Sequence, residues 1–282
     1  MKLHYYKDGH GNFGDDLNPW LWPRLLPDLF DGDGSEIFVG IGTILDQNLP
    51  RAARKVVLGA GCGYNVRPDV PLDDTWRVYC VRGPRTAAAL QLPAATAVID
   101  PGILMRRYFT AAPRRERAAL MLHHRNPVFD DWRQLCANEG IDFIDPHESV
   151  EQVMEGLGRA RVVLAEAMHG AIIADALRVP WVPLKLWGGV LEWKWRDWTE
   201  SLGVPYEPDA SLHTIHPVSP GAQALVTRAK TAVKHVLNGR ALRRLAAHPG
   251  YLSDDRALDD KEARLLMLVE QLRADRQNGA VC

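Results

Sequence analysis

Short apolar runs alternate with amphipathic or glycine-bounded segments from Leu3 onward, which is the order of strands and helices in a parallel sheet. The first half of the chain is therefore predicted to fold as repeated βα units. Its predicted strands are short, rich in β-branched residues and ended by glycine or a polar turn, at residues 3–6, 37–40, 56–59, 78–81 and 97–99. This pattern predicts a doubly wound sheet.

A basic segment with a proline, residues 110–117, has the composition of a domain linker. The pattern then repeats, with helices predicted at residues 150–157 and 168–177. The strands predicted for this second block lie at residues 119–122, 142–144, 162–164 and 181–186. We therefore predict an α/β protein with two Rossmann-like domains, at residues 1–110 and 118–205.

The last part of the chain is helical in pattern. Apolar residues recur at three- and four-residue spacing in residues 222–237 and 259–273, which predicts a helical C-terminal extension over residues 218–276. These helices could brace the two halves, mediate self-association or simply pack on the surface. The oligomeric state stays open at this stage.

Charge and composition exclude several classes of protein. Lys and Arg number 34 against 35 Asp and Glu, a net charge of -1, so no long-range field attracts nucleic acid. The first residues lack the order of a signal peptide, and no apolar run approaches the roughly 20 residues that span a bilayer, so we expect a cytoplasmic protein. Four scattered cysteines and histidines without metal-ligand spacing predict free thiols and no metal site.

Glycine-rich turns end three predicted strands, where open α/β sheets place their ligand crevice. The first, GHGNFGDDLN, brings Asn12 and Asp15 beside backbone amides that can hold an anion; alternatively, its two aspartates cap a helix begun near Pro19. The other two, VGIGTIL and LGAGCGY, carry Gly42 and Gly61. Glycine lets a substrate or a second backbone approach closely, although tight turns alone also call for it.

Arg82 directly follows the predicted strand of RVYCVRGPRT and precedes a helix start at Pro84. Its planar guanidinium suits a phosphate or carboxylate, and the helix amides at Arg85 and Thr86 add partial positive charge. A surface arginine without a ligand is the alternative interpretation. Its position at the end of an otherwise apolar strand favours the anion-binding one.

His169 occupies the matching strand-to-helix junction of the second block, beside Gly170 in AEAMHGAIIADAL. A histidine on such a turn can bind an anion or transfer a proton near neutral pH, although a lone histidine is more often structural. We expect Arg82 and His169 to project into the cleft between the two halves, one from each half.

Aromatic and basic side chains mix in the segment LKLWGGVLEWKWRDW, among them Trp187, Lys194 and Arg196. Tryptophan faces stack on sugars, and packing in a core is the alternative for at least part of these side chains. The segment is a candidate sugar-binding region.

Several motifs follow one another in the chain, namely GNFGDDLN, VGIGTIL, LGAGCGY, CVRGPRT, IDPGIL, AEAMHGAIIADALRVPWVPL and EWKWRDW. In this order they resemble the polysaccharide pyruvyl transferase family, which includes bacterial exopolysaccharide ketal-pyruvate transferases. The resemblance implies a GT-B-like pair of domains, phosphoenolpyruvate as co-substrate with no further cofactor, and a pyruvate ketal formed on a sugar or lipid-linked oligosaccharide acceptor. Peripheral association with the inner face of the cell membrane would suit a lipid-linked acceptor.

The resemblance also implies roles for the candidate residues. Arg82 would grip the donor's anionic groups, and His169 would bind the phosphate or donate a proton. The remaining donor-site residues would be Arg85, Thr86, Gly170, Gly42 and Gly61. The base that accepts a hydroxyl proton would be Asp15, Asp100 or Glu166. The residues in contact with the acceptor would be Asn12, Asp100, Lys194, Arg196 and Trp187. Glu166 and Ala167 stand where the commoner family form has two serines.

Two other functions fit the same pattern. A GT-B-type glycosyltransferase using a nucleotide sugar would have the same two halves, because a fold does not determine a function. A non-catalytic sugar-binding component of polysaccharide assembly would also account for the tryptophan-rich segment and the helical end of the chain.

Overall fold

The computed structural model of the protein describes residues 1–7, 9–50, 53–63, 72–113, 116–126, 128–186, 188–215 and 224–279. Within them lie eight strands and eight α-helices. In chain order these are β1 (Lys2–His4), α1 (Phe13–Leu25), β2 (Glu36–Val39), β3 (Arg54–Leu58), β4 (Trp76–Cys80), α2 (Pro84–Ala89), β5 (Ala118–Met121), α3 (Phe129–Asn138), β6 (Asp142–Phe143), α4 (Val150–Arg159), β7 (Val162–Ala165), α5 (Met168–Ala176), β8 (Trp181–Pro183), α6 (Glu192–Ser201), α7 (Ala224–Ala246) and α8 (Asp255–Gln277). The predicted α/β class is confirmed.

The first of two compact units comprises Met1–Met105, Leu191–Tyr206 and Ser253–Cys282. Its sheet is parallel, in the order β1-β2-β3-β4. Apolar strand residues such as Ile37 and Val57 form its core, because in a parallel sheet both faces are covered. The unit takes in α6, which lies within the predicted second domain, and α8, which follows that domain in the sequence. Asp275 of α8, for example, accepts a hydrogen bond from Tyr79 of β4 at 2.7 Å.

Helix α1 begins at Phe13, so the expected start near Pro19 is wrong. Pro19 lies inside the helix, where it has no amide to donate to the carbonyl of Asp15. The buried side chain of Asn18 makes that bond instead, with Nδ2 3.1 Å from the Asp15 oxygen. Asn18 also bonds the amide and the carbonyl of Ile41 at 2.9 Å each, which fixes α1 against the end of β2.

The second unit comprises Arg106–Val190 and Glu207–Leu252. Its parallel sheet has the order β6-β5-β7-β8, so the chain leaves β5 toward β6 and then returns to place β7 on the other side of β5. The carboxyl ends of β5 and β7 therefore form a topological switch point, which is where open α/β sheets bind ligands. In the first unit the four strands follow in chain order, without such a reversal.

Three of the departures from the sequence pattern are the clearest. The strand expected at residues 97–99 is only an isolated bridge between Val81 and Ala97, because a 3-10 turn ends just before it and Pro101 starts another. Strand β8 ends at Pro183, three residues early. Helix α7 continues past residue 237, because the Asn238 side chain bonds the backbone of residue 213 instead of capping the helix.

Candidate active site

Arg82 follows β4 at the carboxyl edge of the first sheet and is fully buried. Its guanidinium donates three hydrogen bonds: Nε to Asp197 Oδ2 at 2.9 Å, one terminal nitrogen to the Thr43 hydroxyl at 2.8 Å, and the other to the Cys62 carbonyl at 3.1 Å. These partners come from the ends of β2 and β3 and from α6. The arginine therefore joins four segments of the first unit.

Asp197 completes this network at the start of α2. Its Oδ1 accepts the Thr86 amide at 2.9 Å, and its Oδ2 accepts the Thr86 hydroxyl at 2.6 Å as well as Arg82 Nε. The carboxylate thus satisfies an amide that the first turn of a helix leaves without an intrahelical partner. Sequence reasoning missed Asp197, because its partners lie more than 100 residues earlier in the chain.

Glycines at two positions allow the network to close. A methyl group at Gly61 would overlap the Arg82 guanidinium, and one at Gly83 would overlap the Asp197 backbone carbonyl. The close contact with the Arg82 side chain is therefore sufficient to explain a glycine at position 61. Its role in donor binding stays a prediction, as does that of Arg82.

Other predicted residues of the first unit have internal partners too. Arg85 forms a two-bond ion pair with Glu200, with nitrogen–oxygen distances of 2.9 and 2.6 Å. Gly42 has a φ of 130°, a left-handed backbone that favours glycine, and lies beside the Asp15 carboxylate. Buried Asp100 accepts the Gly102 amide at 2.9 Å.

The GHGNFGDDLN motif forms the start of α1. Asn12 Nδ2 donates to Asp15 Oδ2 at 2.5 Å, and the Asn12 amide donates to Asp16 Oδ2 at 3.1 Å. Acidic side chains at this position also interact favourably with the positive end of the helix dipole. Both aspartates therefore lie in the first turn of α1, which begins at Phe13, and the interpretation that they cap a helix begun near Pro19 is wrong.

Glu166 directly follows β7 at the switch point of the second unit and is almost fully buried. Its Oε2 accepts the His123 amide at 3.0 Å, and its Oε1 accepts the Leu186 amide at 3.1 Å. One carboxylate thereby holds together the segments that follow β5, β7 and β8. Because both carboxylate oxygens accept backbone amides, Glu166 positions the segments around the switch point.

A pair of histidines, His123 and His124, follows β5 at this same edge. Their ring centroids are 4.4 Å apart and the rings are tilted by 32°. The Arg125 amide donates to His123 Nδ1 at 3.3 Å, so a neutral His123 ring carries its proton on Nε2. The sequence shows no metal-ligand spacing at this pair; only the sheet order reveals that it lies at a switch point.

His169 lies in the first turn of α5, which begins at Met168 directly after the β7 junction. The half-buried imidazole is therefore near helix amides that favour an anion. Gly170 packs against the Met121 sulfur, and the amides of Glu166 and Ala167 both donate to the Met121 carbonyl, so this turn is closely bound to the end of β5. Three histidines thus belong to one edge of the second sheet.

Comparison with known proteins identifies the family of the chain. Residues 12–186 match the family described as Polysaccharide pyruvyl transferase. The chain belongs to this family. It is also 36% identical over 233 residues to the "Succinoglycan biosynthesis protein ExoV" of Rhizobium meliloti (strain 1021), a match that covers 82% of this chain and 72% of that protein.

The suspected family is confirmed, and the protein is an enzyme, a polysaccharide pyruvyl transferase acting in exopolysaccharide biosynthesis. The match to the pyruvyl transferase family includes both strand-to-helix junctions, at Arg82 and at His169.

Within the described ranges, no cluster of three or more His, Cys, Asp or Glu side chains could hold a metal ion. None of the described helices is long and apolar enough to cross a membrane.

The tryptophan-rich segment begins at the end of the pyruvyl transferase match. Trp195 and Trp198 of α6 are fully buried, and Trp195 stacks on Tyr206 with ring centroids 5.4 Å apart. The packing interpretation is therefore correct for these two side chains. Arg196 lies 3.7 Å from Glu192 and over the Tyr206 ring, and a sugar contact by Arg196 or Lys194 stays a prediction. Trp187 lies outside the described residues.

The cysteines resolved in the described part of the chain behave as predicted. Cys62, Cys80 and Cys136 are free thiols and all three are buried. Burial raises the pKa of Cys80 and that of Cys136 to about 12. Neither of these two thiols is an activated nucleophile at neutral pH.

Proposed function

We propose that this pyruvyl transferase takes the pyruvyl group from phosphoenolpyruvate and joins it to two hydroxyls of a sugar in an exopolysaccharide repeat unit, forming a cyclic ketal. The observation that supports this donor is the edge of the second sheet, where His123, His124 and His169 follow the strands of the switch point. Phosphoenolpyruvate carries a phosphate and a carboxylate. Imidazoles and helix amides are suitable partners for both groups.

The reaction adds one proton to carbon and removes one from each of two sugar hydroxyls. Protonation of the donor's methylene carbon makes C2 an oxocarbenium-like centre, which one sugar hydroxyl attacks. Loss of inorganic phosphate regenerates that centre, and the second hydroxyl attacks it. Of the two hydroxyl protons, one balances the methyl group and the other leaves with phosphate, so the products are one ketal and one phosphate.

His169 is the residue that we place on the donor. Its position in the first turn of α5 suits binding of the phosphate, and an imidazolium there could also protonate the methylene carbon. Glu166 would act through the backbone it holds, as a positioning residue and not as the predicted base. Asp15 and Asp100 remain the candidates for accepting a hydroxyl proton, and Arg82 for gripping the donor's anionic groups.

Ligand-induced stabilisation tests the donor. Phosphoenolpyruvate at about 100 times its dissociation constant should stabilise the enzyme by about 2.7 kcal/mol, and His169→Asn should reduce this effect. Protection by a nucleoside diphosphate but not by phosphoenolpyruvate would instead favour a glycosyltransferase using a nucleotide sugar. Enzyme treated with a chelator and dialysed should retain its turnover, since no further cofactor is proposed.

A further inference from the structure

Helix α7 differs from the rest of the chain in charge. The chain as a whole has a net charge of -1, whereas α7 contains no Asp or Glu, so its six cations are balanced by an excess of acidic residues elsewhere. The six are Arg228, Lys230, Lys234, Arg240, Arg243 and Arg244. This is a local concentration of positive charge on one helix.

The two sides of α7 have different surroundings. Leu242 and Leu245 point into the core of the second unit, which fixes the inner side of the helix. On the other side, Val233, Val236 and Leu237 are 59%, 56% and 41% exposed. Their three- and four-residue spacing makes one continuous apolar stripe.

Some of the cations are already paired within the second unit. Arg243 pairs with Glu139 and Arg244 with Asp209. Among the residues that the structure describes, Lys230 and Arg240 form no ion pair, and both are exposed. They precede and follow the apolar stripe at helical spacing. We call Lys230, Val233, Val236, Leu237 and Arg240 the outer face of α7.

We propose that the outer face of α7 binds the surface of an anionic lipid bilayer. Its unpaired cations complement lipid phosphates, and its three apolar side chains can enter the boundary between headgroups and acyl chains. Three side chains are far too few for a stable protein interface, which buries about 1,600 Å² in total. The helix would lie on the membrane and would hold the enzyme at the surface where a lipid-linked acceptor would be located.

Vesicle co-sedimentation of the intact protein tests this proposal. We expect binding to vesicles that contain phosphatidylglycerol, much weaker binding to pure phosphatidylcholine, and loss of binding in high salt. Lys230→Gln with Arg240→Gln should weaken binding to the anionic vesicles by about 30-fold, since each cation near an anionic surface contributes about 1 kcal/mol. Val233→Ser with Val236→Ser and Leu237→Ser should weaken it as well.

Matched controls lie on α8, where Arg256 and Met267 are also exposed. Arg256→Gln and Met267→Ser should bind vesicles like the unaltered protein. Equal binding by all variants, or none by the unaltered protein, would overturn the proposal. The proposal would also be overturned if, without lipid, the unaltered protein were a dimer and the serine variant a monomer. The outer face of α7 would then be a self-association surface.

The proposal is separable from the reaction. Turnover of a water-soluble glycoside should be the same for the unaltered enzyme and for the α7 variants. If no pyruvyl transfer from phosphoenolpyruvate is seen while vesicle binding behaves as expected, the donor assignment fails and the membrane surface stands.

Discussion

Asp197 Oδ2 lies 2.9 Å from Arg82 Nε, and neither side chain has any exposed surface. The pair joins α6 to the carboxyl end of β4 and, through Thr86, to the start of α2. A buried charge is costly unless it is paired, so each partner depends on the other. The arginine of the CVRGPRT motif is therefore also a structural element of the first unit.

Removing one member of this pair should destabilise the protein strongly. Asp197→Ala leaves the Arg82 guanidinium buried without its counter-charge, which should cost about 3 to 5 kcal/mol. Urea unfolding measures this loss. Glu200→Gln breaks the exposed pair with Arg85 and should cost about 0 to 1 kcal/mol. A loss for Asp197→Ala no larger than that of Glu200→Gln would contradict the buried-pair interpretation.

Glu166→Gln should loosen the switch point of the second unit. A glutamine side chain has a single acceptor oxygen, so one of the two backbone amides, of His123 or Leu186, would lose its partner. We expect a loss of about 1 to 3 kcal/mol in the free energy of unfolding and weaker binding of phosphoenolpyruvate. The exposed Glu116→Gln serves as the control. Unchanged stability and affinity would remove the positioning role.

His169→Asn should lower catalysis without unfolding the enzyme. If the imidazole binds the donor phosphate or donates a proton, kcat/KM should fall by about 100-fold or more, while the unfolding midpoint stays the same. His213→Asn alters an exposed histidine of the same unit and should leave the rate unchanged. Equal rates for both variants would exclude His169 from the donor site.

Alkaline pH should destabilise the fold through the buried thiols. Burial raises the pKa of Cys80 and Cys136 to about 12, against 9.0 for an exposed thiol. Below pH 9 both states keep these protons; above it the unfolded chain loses them first, so stability declines between about pH 9 and pH 12. Urea unfolding at about pH 8 and about pH 10.5 should show a smaller decline for Cys80→Ala with Cys136→Ala than for the unaltered protein. Equal declines in the double variant and the unaltered protein would contradict a contribution from the two buried thiols.

Local sequence patterns predicted most of the strands, because β-branched runs ended by glycine require no knowledge of distant partners. Strand β2, predicted at residues 37–40, is Glu36–Val39. Local patterns gave the wrong helix start where a side chain replaced a backbone hydrogen bond and so let a proline lie inside a helix. The helix start expected near Pro19 is wrong, because the Asn18 side chain supplies the hydrogen bond that the proline lacks and the helix can contain it.

The candidate site was harder to predict, since it depends on which strands are neighbours. His123 and His124 gain significance because β7 returns to the side of β5 opposite β6, which no local pattern shows. Asp197 was missed for the same reason: its partner Arg82 lies 115 positions away. The family motifs identified the positions of Arg82 and His169 without showing how each is held.

Incubation with phosphoenolpyruvate and a panel of synthetic or lipid-linked glycosides tests the proposed reaction most directly. Phosphate release and the mass of the acceptor would be followed together. We expect one phosphate for each acceptor that gains a ketal-linked pyruvate, and formation of both products slower by about 100-fold or more with His169→Asn. An unchanged acceptor throughout the panel, together with glycosyl transfer from a nucleotide sugar, would contradict pyruvyl transfer from phosphoenolpyruvate.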